Sequence, residues 1–170
     1  MKRIEEMAKD EQLESLCRLH DILNDGLFDG KLKRAFVPVI GKTFNTNDGC
    51  WMSIGRAGKR AGNQSFTALA SFHPSPIENI CFDYFTLQFL ACDYEPEEQV
   101  RFIAITLLHE MIHQYCYENG LPLGHGGKFR QYCKAHGLQR ITVFNEFEER
   151  KETQESLLPI AEKIIGNFRW

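Results

Sequence analysis

Between residues 10 and 27, Leu13, Leu16, Cys17 and Leu23 recur at three- and four-residue steps, which predicts an amphipathic N-terminal helix. His20 falls on the same stripe and reads as a packed, hydrogen-bonded residue. After a turn at Asp29-Gly30 come three segments rich in Phe, Val, Ile and Trp, Ala35–Ile40, Cys50–Ile54 and Ser65–Phe72, and a shorter extended piece, Asn79–Asp83. His73 precedes Pro74, so an extended, solvent-exposed turn is expected there. From Gln99 to Tyr117 the chain has no Gly or Pro, and Val100, Ile103, Leu107, Leu108 and Ile112 occupy most of the circumference, the mark of a buried helix. Pro96, Glu97 and Glu98 suit its positive end, and Asn119-Gly120 followed by Pro122 stops it. A second helix is expected from Lys128 to Ala135. The tail, from about Asn145 to Trp170, carries Leu157, Leu158, Ile160, Ala161, Ile164 and Ile165 at helical spacing. It reads as a closing helix that packs on the domain, the alternative being a face that docks a partner or a second copy.

These elements predict an α+β class with a single domain over residues 1–170. Its parts are an N-terminal helix, a three- to four-stranded, mostly antiparallel sheet, a long buried helix and C-terminal helices. A chain of 170 residues is long enough to bury its own core, and 13 Phe fit a compact globule.

The long helix contains His109-Glu110-Met111-Ile112-His113. Residues i and i+4 lie about 40° apart on a helix, so both imidazoles can reach one metal ion. Burying three polar side chains without partners costs several kcal/mol, and a metal satisfies them together. Glu110 can then reach water at that metal. A metzincin places a third histidine six residues after the second, where this chain has Asn119, so that class is excluded. Three candidates remain for the third ligand: His125 in Gly124-His125-Gly126-Gly127, His136, and a glutamate of Asn145-Glu146-Phe147-Glu148-Glu149. The glycine-rich setting favours His125, because missing Cβ atoms let backbone approach a metal centre. His136 abuts Gly137 at a helix end, and the acidic run reads as a solvated face.

Three neutral imidazoles leave zinc an open position, the mark of a catalytic rather than a structural site. A zinc-dependent peptidase follows, with Glu110 as general base. For the oxyanion, Tyr115 lies about 200° around the helix from His113 and points away. Tyr132, seven residues after His125, shares its face and is the candidate donor. Cys116 is on the ligand face, where packing or a competing metal contact is expected.

His109 to Tyr115, then Gly124-His125-Gly126-Gly127-Lys128-Phe129, resembles the SprT-like metalloprotease domain, the group that includes the Spartan proteases. Leu23 to Leu32, with Phe28 and Gly30, is similar to the end of that family's N-terminal helix. The resemblance spans roughly residues 10–140. It implies a small zincin-like fold, zinc held by His109, His113 and His125, Glu110 as the base, and action on proteins bound or crosslinked to DNA. No counterpart of the four-cysteine zinc ribbon of some members is present. The alternative is a catalytically silent or narrow-substrate zinc-binding adaptor of a phage or mobile element.

Composition adds limits. Cys17, Cys50, Cys81, Cys92, Cys116 and Cys133 are scattered singly, with no C-x-x-C pair, and read as buried thiols in a reducing compartment. With no apolar signal segment after Met1, a cytoplasmic location is expected. No apolar run is long enough to span a membrane. A net charge of −3 argues against a protein that coats nucleic acid over its whole surface. A local patch stays open: Arg56, Lys59 and Arg60 lie in a Gly-rich loop near Trp51 and could hold single-stranded DNA, the bland reading being a solvated loop. The expected partner is a protein or peptide substrate, and oligomeric state is not legible.

Overall fold

The computed structural model describes residues 2–37, 39–40, 70–74, 79–83, 95–135, 159, 162–166 and 168–170. Helix α1 spans Lys9–Phe28. Leu16, Leu19 and Leu23 are wholly buried along one face, as the spacing requires. Asp29 and Gly30 take left-handed φ values of 55° and 68°, and the Gly30 N–H donates to the Asn24 carbonyl at 3.1 Å. The Asn24 side chain then brackets Leu32, donating to its carbonyl at 2.9 Å and accepting from its N–H at 3.1 Å. This bracket turns the chain so that Leu32, Ala35 and Val37 are buried.

Strands β1 (Val39–Ile40), β2 (Ala70–His73) and β3 (Asn79–Asp83) pair in the order β1-β3-β2. β2 runs antiparallel to β3, with Phe72 opposite Ile80, whereas β1 runs parallel to it, with Val39 opposite Phe82. The sheet among the described residues is therefore mixed, not mostly antiparallel. Parallel neighbours need a long crossover, and the chain between β1 and β3 is long enough for one. Of the expected strand Ala35–Ile40 only the end is regular, with Phe36 forming a single bridge to Asn79. His73 closes β2 opposite Asn79. Cys50–Ile54 and residues 65–69 lie outside the described residues.

Helix α2 (Pro96–Glu118) forms the centre of the molecule and packs on the sheet, on α1 and on α3, which spans Gly127–Ala135. Glu98 accepts the Glu95 N–H at 3.2 Å, which satisfies one of the orphan donors at the α2 start. Val100, Ile103, Ala104, Leu107, Leu108, Met111 and Ile112 are 4% exposed or less, so the helix is enclosed on nearly every side. At its end Gly120, with φ 65°, donates to Tyr117 at 3.0 Å and Leu121 donates to Cys116 at 2.7 Å. This Schellman closure reverses the chain and sends residues 121–126 back past the helix.

Residues 162–165 are helical, and Ile165 and Phe168 are buried in the core. Arg101 pairs with Glu162 at 2.6 Å, and Arg18 donates to the Arg169 carbonyl at 3.0 Å with its guanidinium over the Phe168 ring. The described part of the tail thus packs on α1 and α2; residues 145–158 lie outside the described residues. Gly26 marks the contact, since a Cβ there would stand 2.6 Å from Ile164 Cγ2. Gly to Ala inside a helix ordinarily stabilises by about 1 kcal/mol. Here the sign reverses, and Gly26→Ala is expected to cost about 1–2 kcal/mol through overpacking. Thermal melts check this: Ile164→Ala in the same background restores the loss, and a raised midpoint in Gly26→Ala alone shows that the tail does not press on α1.

Candidate metal centre

His109 and His113 stand one turn apart on α2, with ring centroids 5.1 Å apart. The chain reversal at Gly120 brings His125, just ahead of α3, over the same turn. The three Nε2 atoms form a triangle with edges of 2.9 Å (His109–His125), 3.1 Å (His113–His125) and 3.3 Å (His109–His113). Three nitrogens around a tetrahedral zinc at about 2.0–2.1 Å stand about 3.3–3.4 Å from one another, so the triangle is close to that size. The alternative, three mutual hydrogen bonds, fails on proton count. A neutral ring nitrogen either donates or accepts, so the three Nε2 atoms cannot each bond the other two. The half-buried triad could hold a metal ion, and it is the group of donors with this capacity among the described residues.

Electrostatics favour the neutral, ligating form. Burial, and next the charge of His125, push His113 down to about 4 against a backbone hydrogen bond at Leu123. Burial and then the Arg130 guanidinium lower His125. Arg130 also fixes the ligand loop, its Nε donating to the His125 carbonyl at 3.1 Å.

Glu110 is buried, and desolvation pushes its carboxyl up to about 8 although a backbone hydrogen bond from Phe72 opposes the rise. That bond is 2.8 Å from the Phe72 N–H to Oε2. Ile80, opposite Phe72, directs its N–H to the Phe36 carbonyl on the β1 side. Phe72 and Ile80 are therefore a non-hydrogen-bonded pair, and the Phe72 amide faces outward from β2. Glu110 takes up this edge amide, which ties the sheet to the centre of α2.

The residue that sequence reading missed is Phe129. Its fully buried ring lies 5.3, 4.6 and 4.9 Å from the His109, His113 and His125 rings. It follows His125 by one helical turn, a spacing that would have marked it. Tyr132, the expected oxyanion donor, stacks on Phe28 at 5.6 Å and on Tyr115 at 4.3 Å, and burial pushes its hydroxyl far up. These neighbours place it in an aromatic cluster shared with Tyr115. Cys116 and Cys133 are wholly buried free thiols and Cys17 is a buried one, and Cys116 is not among the metal-donor group. Gly124, Gly126 and Gly127 would each accept a Cβ with no atom within 4 Å, so close backbone packing does not require these glycines. His136, Glu146, Glu148 and Glu149 lie outside the described residues, as do Arg56, Lys59 and Arg60.

Behind the ligands, Gln114 is completely buried. Its Oε1 bonds His20 Nε2 at 2.9 Å, while its Nε2 donates to the Lys33 carbonyl and to Glu118, each at 2.8 Å. The packed, hydrogen-bonded role expected of His20 is the one it has. His20→Ala leaves a cavity and an unmatched Gln114 oxygen, with an expected loss of about 2–4 kcal/mol in urea unfolding. A loss below about 0.5 kcal/mol contradicts the network.

Compared with protein-family models, curated proteins and solved structures, the chain matches none of them. No helix among the described residues is long and apolar enough to cross a membrane.

Proposed function

We propose that this chain is a zinc-dependent endopeptidase of small zincin-like fold, the activity implied by its resemblance to SprT-like metalloproteases. The observation that carries the reading is three imidazole nitrogens converging within 3.3 Å, with a buried glutamate between two of them on one helix. A structural zinc site is ordinarily closed by four protein ligands and rich in Cys, whereas this set offers three His.

His109, His113 and His125 hold the ion, which when bound supplies Lewis acidity toward water and the scissile carbonyl. Glu110 takes a proton from the attacking water at its carboxylate and passes it to the amine nitrogen as the C–N bond breaks. Burial raises the proton affinity of Glu110 and a neighbouring dication lowers it, and the two together set a base suited to neutral pH. Phe72 holds the carboxylate in place through its amide. Tyr132 is assigned the oxyanion on its register with His125, although its ring is stacked on Phe28 and Tyr115. Tyr132→Phe is expected to lower turnover at least tenfold with zinc content unchanged; equal turnover assigns the residue to packing alone.

The proposed substrates are proteins bound or crosslinked to DNA, with single-stranded DNA held through Arg56, Lys59 and Arg60. The test is proteolysis of a DNA-binding protein by the zinc-loaded chain with and without single-stranded DNA. Cleavage that needs the DNA and stops on chelation supports the reading. Absence of cleavage with zinc stoichiometrically bound favours the silent or narrow-substrate adaptor.

A further inference from the structure

Helix α3 has two faces of opposite character. Phe129 and Cys133 are buried in the core, while Lys128, Gln131 and Lys134, at three-residue steps, are exposed. Along this outer face runs an open groove of about 590 Å³, floored by Gly126 and Gly127 and lined by Lys128, Arg130, Gln131 and Lys134. Every charged residue lining it is a cation, in a chain whose net charge is −3. Neither lysine nor Arg130 forms an ion pair among the described residues. The floor glycines have no positive φ and no crowding neighbour, so the fold itself does not call for them.

We infer that this groove is an anion subsite that takes an acidic side chain of the protein substrate beside the metal centre, a specificity that rests on the peptidase reading. The groove borders the loop that carries His125, with Gly124 and Gly126, its chain neighbours, in the lining. Arg130 links the two, with one nitrogen on the His125 carbonyl and its charge already acting on the His125 ring. The volume falls in the range of about 300–1,000 Å³ typical of sites for small groups. Single-stranded nucleic acid is held by cations together with aromatic platforms, and no aromatic residue lines this groove. A carboxylate side chain meets the lysines at short range and gains charge-assisted hydrogen bonds.

The test uses the full chain, zinc-loaded, as Glu110→Gln so that peptides survive. Fluorescent peptides of equal length, one with Glu residues and one with Gln in their place, are titrated by anisotropy. The expected result is about tenfold tighter binding of the acidic peptide, lost on adding salt and lost in the Lys128→Gln, Lys134→Gln double variant. Equal affinity for the two peptides, or no binding of either, overturns the inference. So does a single-stranded oligonucleotide of equal charge that binds more tightly and loses its affinity in the same double variant, since that makes the groove a nucleic-acid surface. Binding is read without turnover, so failure here leaves Glu110-dependent cleavage by the native chain as a separate result.

Discussion

Glu110→Gln is expected to lower peptide hydrolysis by about 10²–10⁴-fold while zinc content stays that of the native chain. The amide keeps the size of the carboxylate and its oxygen still accepts the Phe72 N–H, so the α2–β2 contact persists. What is lost is the ability to take a proton from water. Turnover and metal content measured on one preparation settle the role: full residual activity refutes Glu110 as base, and loss of zinc along with activity assigns it to the metal shell. A second consequence concerns the metal-free protein. Burial raises the Glu110 carboxyl from an ordinary 4.5 to about 8, so between those values the native state binds more protons than the unfolded state. Stability from this group is complete below about 4.5 and is lost as pH rises through about 8. Such a displacement corresponds to a cost of about 5 kcal/mol above pH 8 as an upper limit, at about 1.4 kcal/mol per tenfold change in proton affinity. Glu110→Gln therefore makes the metal-free chain more stable at pH 8 and leaves it nearly unchanged at pH 4.

Much of this site was legible because it is written within one helix and one turn. The i, i+4 histidines, the Gln99 to Tyr117 run and the Asn119-Gly120 stop are local signals, and α2 with its Schellman end follows from them. The third candidate ligand needed the chain reversal, yet the glycine-rich context pointed to His125, and the structure brings His125 to the other two. Contacts that depend on distant segments were not legible. No periodicity in β2 announces that the Phe72 amide faces the Glu110 carboxylate, because that follows from the non-hydrogen-bonded register with β3. The parallel run of β1 beside β3 was missed for the same reason: short apolar stretches specify extended backbone but not its partner's direction. For Tyr132, i+7 from His125 fixes an azimuth on its own helix, but the stacking on Phe28, which lies on another helix, could not be read from spacing.

His125→Ala is expected to weaken zinc binding at least a thousandfold while leaving α2 folded, because the two helix histidines alone leave the ion without a third protein ligand. In the native chain, zinc at about a thousand times its dissociation constant stabilises by about 4 kcal/mol, which for a domain of this size raises the melting temperature by about 10 °C. That rise should vanish in His125→Ala and reverse on chelation in the native chain. Acid gives an independent check. His113 sits near 4 and His125 is also lowered, so each binds protons more readily when unfolded. The stability these groups contribute is present above about 6.5 and is lost as pH falls toward about 4, the reverse of the Glu110 slope. Metal-free protein should therefore lose stability on both sides of the range from about 4.5 to 6.5, with Glu110 acting above and His113 below. Zinc needs neutral imidazoles and places a positive charge near the Glu110 carboxylate, so its binding should move the optimum to higher pH. Melting curves from pH 4 to 9, with and without zinc, decide this: an optimum that zinc leaves in place means that the ion does not sit among these histidines.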